Sequence, residues 1–283
     1  MKGLKNSRHH FTMYTQQRTK HLFLLFGFTF LMAITTQAQG FLLGIEAGFG
    51  MHTVKFSDSY QDLFVQETGV SYINSRRSGL QGGIRLGWQF NRNFSISVSP
   101  TIMQKGTRYE TAENGTFELT DRNGNSYTAV GYIKWSEQYT AVQNPVLLTG
   151  RLPLFGERFG MTFSLGPSFN FLLSGKGEAV LETQQKTTPL DSYKIKFGSS
   201  RTDDYTGFDV SVVFAPGIAI DLDENGAFRL FTEVRFDVGL RDMTTQARKD
   251  FVADDGIDIL GTRKMRSTLL TVGVSFCPGC VWE

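Results

Sequence analysis

From Phe159 to Phe171 the odd positions are Phe, Met, Phe, Leu, Pro, Phe and Phe, and the even ones are Gly, Thr, Ser or Asn. A period of two is the mark of a β-strand with one apolar and one polar face. The pattern recurs at Phe94-Ser95-Ile96-Ser97-Val98-Ser99, from Leu80 to Phe90, and along Phe208, Val210, Val212, Phe214, Pro216, Ile218 and Ile220. Eight such segments can be drawn, at about 41–56, 78–90, 94–110, 136–152, 159–175, 206–222, 227–243 and 265–276. The fourth is the least regular, and Asn144-Pro145 predicts a bulge there. The gaps between segments run long, short, long, short, long, short, long. That alternation fits an antiparallel transmembrane barrel of the outer-membrane kind, with short periplasmic turns and four long extracellular loops. A soluble β-sandwich gives no reason for gap lengths to alternate. The fold class predicted is therefore all-β, an eight-stranded antiparallel outer-membrane β-barrel.

The N-terminus carries an address. Residues 1–21 hold five bases and no acid, and an apolar run follows from Leu22 to Ile34. Thr36 and Ala38 then offer small residues at −3 and −1 of a cleavage site. The run is shorter than the ~20 residues a membrane-spanning helix needs. The expected division is a signal peptide over 1–38, a barrel over 39–276, and a short periplasmic tail over 277–283. Removing the leader takes five of the 29 Lys+Arg and none of the 27 Asp+Glu. The remainder, 24 bases against 27 acids, has a net charge of −3. No basic stretch is left that would recruit nucleic acid.

Three stretches carry a family resemblance. SGLQGGIRLGWQFNRNFSISVSPTIMQKGTRYE (78–110), YTAVQNPVLLTGRL (139–152) and FGMTFSLGPSFNFLLSG (159–175) resemble the PorT-like outer-membrane β-barrel domain family of Bacteroidota. The resemblance covers about 40–276. It implies an outer-membrane location and a membrane-barrel fold, and it is weak for function. Members include an accessory factor of type IX secretion and gliding. Such chains tend to end on the aromatic residue of the last strand, whereas here CPGCVWE follows Phe276.

Alternation places Glu46, Arg85, Glu233, Arg235, Asp237 and Arg241 towards the lumen. Eight strands enclose a space that side chains fill, so these charges predict a paired network that plugs the barrel. Catalytic chemistry is sparse. His52 is the one histidine beyond the leader, and it is the sole base on which a surface hydrolase or acyltransferase could stand, with Asp58 as a partner. Asp221 to Gly226 matches the start of a calcium loop, but position twelve is Thr232 where a bidentate Glu is needed; a hairpin with Asn225-Gly226 supplying positive φ is expected. Asp250, Asp254, Asp255 and Asp258, with Asp203-Asp204, are read as solvated loop tips. Cys277-Pro278-Gly279-Cys280 predicts a small disulfide-closed turn. Trp88, Phe90, Phe94, Trp135, Tyr139 and Phe159 are expected in interfacial girdles. No catalytic, cofactor or metal residue is assigned. The chain is read as a non-enzymatic scaffold or accessory subunit of an envelope or secretion complex, or a surface-binding protein, its partners outer-membrane lipid and other envelope or secretion proteins. A surface hydrolase using His52 and a narrow transporter are the alternatives.

Overall fold

The structure is a computed structural model that describes residues 40–56, 72–120, 126–154, 156–184, 186–199, 203–244 and 263–280. Residues 1–38, Asp58 and the acids at 250–258 lie outside the described residues. Among the described residues there are eleven strands: β1 (Gly40–Phe56), β2 (Tyr72–Asn91), β3 (Phe94–Val98), β4 (Thr101–Thr111), β5 (Gly115–Thr120), β6 (Ser126–Pro153), β7 (Phe159–Glu182), β8 (Thr187–Ile195), β9 (Phe208–Asp221), β10 (Phe228–Gly239) and β11 (Arg263–Phe276). No helix among the described residues is long and apolar enough to cross a membrane.

The ladder closes on itself. β1 pairs with β2, β2 with β3 and β4, these with β6, then β7, β9, β10 and β11, and β11 returns to β1. Every ladder pairing is antiparallel, and β3 and β4 are two pieces of one stave. The ring therefore has eight staves, as the sequence predicts. The seam between β1 and β11 runs unbroken from Leu43 opposite Phe276 to Phe56 opposite Arg263. Closure leaves the ring itself without a free edge, which a lipid environment requires.

Alternation sets the two faces. Along β11, Met265, Ser267, Leu269, Thr271 and Ser275 are buried inside, while Leu270, Val272 and Val274 are exposed outside. Phe41, Ile45, Phe49, Leu80, Ile84, Phe163, Leu165, Phe214 and Phe236 extend this outward apolar band around the ring. Large apolar side chains outside and polar ones inside invert the soluble rule. That inversion is what a barrel in hydrocarbon needs.

The short turns at one end use local devices. Asn91 Oδ1 accepts from the backbone N–H of Asn93 and Phe94, at 2.8 and 2.9 Å. Asp223 accepts from Ala227 and Phe228, at 3.2 and 2.7 Å. Of the expected Asn225-Gly226 pair, Gly226 alone takes positive φ (69°), and Asn225 does not.

The other departures have physical causes. The expected bulge at Asn144-Pro145 is absent. Pro145 instead faces a break in the neighbouring stave at Ser99-Pro100, where two prolines lack ladder N–H groups. Ser99 N–H still reaches the Pro145 carbonyl at 3.1 Å. The β6–β7 register shift lies at Thr140/Ala141. Two of the expected long loops are largely strand. β6 and β7 continue past the barrel, and β5 and β8 pair onto them, Gly115 opposite Gly131 and Gly175 opposite Ile195. The wall thus rises into an extracellular sheet.

Candidate functional site

The lumen is filled in layers. At the short-turn end Asp221 turns inward, its carboxylate buried. Arg229 Nε lies 2.7 Å from it, Arg151 Nη1 3.0 Å and Arg92 Nη2 3.6 Å. The Asp221 side chain is therefore committed to arginines and does not face the turn, which removes the first ligand of a calcium loop.

The middle layer joins four charges from β1, β2 and β10. Arg235 grips Glu46 with both terminal nitrogens, at 2.7 and 2.8 Å, and gives Nε to Glu233 at 2.7 Å. Arg85 bridges the same carboxylates, 2.6 Å from Glu233 and 3.1 Å from Glu46. Its guanidinium also lies 3.9 Å from the centre of the Phe231 ring. Two acids and two bases leave the layer neutral, and the fork geometry of arginine suits such bidentate pairing. Just above, Lys105 Nζ reaches Asn170 at 2.9 Å and Asp237 at 3.2 Å, and Gln143 donates to Asp237 at 2.8 Å.

His52 lies above this layer, and its Nδ1 is 2.8 Å from Ser267 Oγ. A histidine beside a serine is the core of a nucleophile–base pair. Here both are buried inside the wall, and His52 Nε2 has no hydrogen-bond partner. Among the described residues no third group hydrogen-bonds the ring.

The outer mouth is capped. Val54, Met103, Tyr139, Leu172, Met265 and Leu269 form an apolar layer, closed from above by Ile195, Tyr205 and Met243. Ile195 ends β8, and Tyr205 and Met243 come from connections between strands, so the loops themselves fold over the opening. Glu137 anchors this cap. It accepts hydrogen bonds from Tyr139, Tyr205 and, at 3.3 Å, Tyr193. Burial, then the Glu137 charge, push the Tyr205 and Tyr193 phenols above their ordinary value.

Five of the six predicted inward charges are buried where expected. Arg241 is not. It follows the end of β10, where alternation no longer applies, and lies outside over the Phe208 ring at 6.0 Å. Tyr139 is likewise not in a girdle but fully buried in the cap. Trp135 stacks on Tyr109 across β4 and β6, with ring centres 5.5 Å apart, above the cap. Trp88 and Phe94 are exposed on the outer face near the short turns, as a girdle requires. Lys105, Glu137 and Arg151 are among the inward groups that sequence reading missed, whereas Asn170 and Asp221 fall on the polar face that alternation gives them. Cys277 and Cys280 are disulfide-bonded. Their turn folds back under the barrel, with Cys277 N–H on the Ala227 carbonyl at 2.8 Å. Among the described residues no cluster of three His, Cys, Asp or Glu could hold a metal.

The family described as outer membrane protein beta-barrel domain matches residues 37–245. The chain belongs to that family. The outer-membrane β-barrel domain thus carries its apolar band in lipid, its short turns in the periplasm and its long connections outside. Three solved barrels are similar. Neisserial surface protein A is 12% identical, with 85% of this chain and 99% of that one covered and a TM-score of 0.32. The attachment invasion locus protein Ail of Yersinia pestis is 13% identical, with 85% and 100% covered and a TM-score of 0.30. OprG of Pseudomonas aeruginosa is 8% identical, with 85% and 97% covered and a TM-score of 0.36. No curated protein is detectably similar in sequence.

Proposed function

We propose that this outer-membrane barrel is a non-enzymatic scaffold that presents a binding surface outside the cell. One observation carries the reading: the lumen is filled by paired charges and capped, while the wall continues outward as a sheet. A conduit needs the reverse, an open lumen and little above it. Loops and extensions held on a rigid frame are where binding function concentrates. The extension includes a recess of about 710 Å³ lined by Val130, Tyr132, Lys134, Glu182 and neighbours, with polar and apolar groups side by side. Lys134 is ion-paired there with both Glu110 and Glu182.

The narrower assignment is to the PorT-like branch of Bacteroidota, made after removal of a 1–38 signal peptide, with 277–283 as a periplasmic tail. Envelope or secretion proteins are then the expected partners, in a type IX-like assembly, alongside outer-membrane lipid. The test is to tag the β7–β8 connection, crosslink in intact cells, extract the membrane gently and identify what co-purifies. Stoichiometric recovery of envelope subunits supports the scaffold. Recovery of the barrel alone in every growth condition defeats it.

A further inference from the structure

We infer that one side of the extracellular rim is a binding site for the phosphate groups of an anionic glycolipid in the outer leaflet. The residues are Lys55 on β1, Lys264 and Arg266 on β11, Arg108 on β4 and Arg241 after β10. All five are exposed. Lys55, Lys264 and Arg266 continue the alternation that points Phe49, Met51, Leu270 and Val272 into lipid. Arg241 lies over the ring of Phe208, which stacks with Phe169 and is tilted against Phe171 on the same outer surface. The bases therefore stand directly above the apolar band, at the depth where lipid head groups lie.

Three features separate this arc from an ordinary solvated rim. First, its charge is unrelieved, because among the described residues none of the five has a carboxylate in ion-pair contact. On the opposite side of the rim Lys176 is paired with Glu178 and Lys134 with Glu182, while Lys194 on β8 is exposed without an ion pair among the described residues. Second, the arc contains a built-in repulsion. Lys55 and Lys264 are direct cross-strand partners, and Arg266 stands opposite Thr53, one outward position below. Like charges directly opposite in an antiparallel pair destabilise it. A bound anion converts that repulsion into attraction. Third, Lys55, Lys264 and Arg266 stand together on the two staves of the β1–β11 seam, with Arg241 after β10 on one side and Arg108 on β4 on the other. Basic clusters at a membrane surface recognise anionic head groups, and the acyl chains of the same lipid would lie on Phe49, Met51 and Leu270.

The test titrates diphosphorylated lipid A into the full chain in neutral detergent and counts bound lipid by native mass spectrometry. The K55Q/K264Q/R266Q variant is expected to bind more weakly by on the order of a hundredfold, from three lost surface charges. Dephosphorylated lipid A should bind the unmodified chain as weakly, and excess inorganic phosphate should not displace the lipid. Equal binding by the triple variant overturns the site. Equal binding of dephosphorylated lipid reduces it to acyl contact, and full displacement by phosphate reduces it to a free-anion site; either result also overturns the proposal. If the triple variant does not fold, R266Q and the two forms of lipid A on the unmodified chain decide. A second readout is independent of affinity. In phosphatidylcholine vesicles K264Q should unfold at higher urea than the unmodified chain, and adding diphosphorylated lipid A should reverse that order. Failure to reverse counts against the site.

Discussion

At the scale of single residues, the lumen shows how unequal buried charges are. Glu46 holds two guanidiniums, and Glu233 is shared by the same two. Removing one member leaves an excess charge with nowhere to go. Glu46→Gln is expected to cost about 3–5 kcal/mol, read as a lower urea midpoint for unfolding from vesicles. Glu46→Gln combined with Arg235→Gln leaves the Arg85–Glu233 pair neutral, so the double variant should lose less than the sum of its singles. A strictly additive cycle would refute the coupling. The cap titrates in the opposite direction from a carboxylate. Tyr205 and Tyr193 have phenols raised by burial and by Glu137, so they favour the folded cap while neutral. That contribution is whole below the ordinary tyrosine value of about 10 and is lost as pH rises through the raised value. Tyrosinate absorbance should lag behind that of the unfolded chain on alkaline titration, and Glu137→Gln should shorten the lag.

At the scale of elements, how well the sequence could be read depended on how clean each face was. β11 alternates without exception, and its span was legible to within two residues. The outward run Phe94, Ile96, Val98 and Ile102 sets a phase that puts Lys105 inside, so that residue was readable by extending the count across Ser99-Pro100. Glu137 was not. Around it Tyr139, Ala141 and Leu147 are apolar inside while Val142, Val146 and Leu148 are apolar outside, and two apolar faces erase a period of two. The same mixing hid the extensions, because strand above the membrane has no lipid face to mark it. Among the described residues β8 pairs with the ring through β7 and meets the cap through Ile195 and Tyr193. Replacing residues 183–186 with another tight turn should leave heat-modifiable gel mobility unchanged. Deleting 196–206, which removes Tyr205, should still give no conductance in planar bilayers, because the Glu46–Arg235 layer closes the lumen below. Conductance in that variant would place the seal in the cap instead.

At the scale of the whole molecule, the overall class was the most secure reading because it rests on gap lengths as well as on alternation. The disulfide turn is a small addition to this frame. Its two cysteines are three positions apart, and so short a loop constrains the unfolded chain little. Reduction should therefore leave the urea midpoint nearly unmoved. Gly40→Val is a harsher change, since a side-chain carbon there would fall 2.4 Å from Cys277 Sγ. It should displace the turn, seen as faster alkylation of both thiols under mild reductant.

The β1–β11 seam has a consequence for how the molecule is made. Its partners, such as Leu43 and Phe276, stand at opposite ends of the described chain. Neighbouring staves can zip together as hairpins, each closing a modest loop. The seam closes the longest loop of all, and such pairings form late because their entropy must be lost before contacts repay it. Until Arg263–Phe276 arrives, the unfinished sheet has two open margins with greasy outer faces. A chain halted before that segment would be an adhesive ribbon, so synthesis and export must run to the final stave before the protein has any membrane-compatible form.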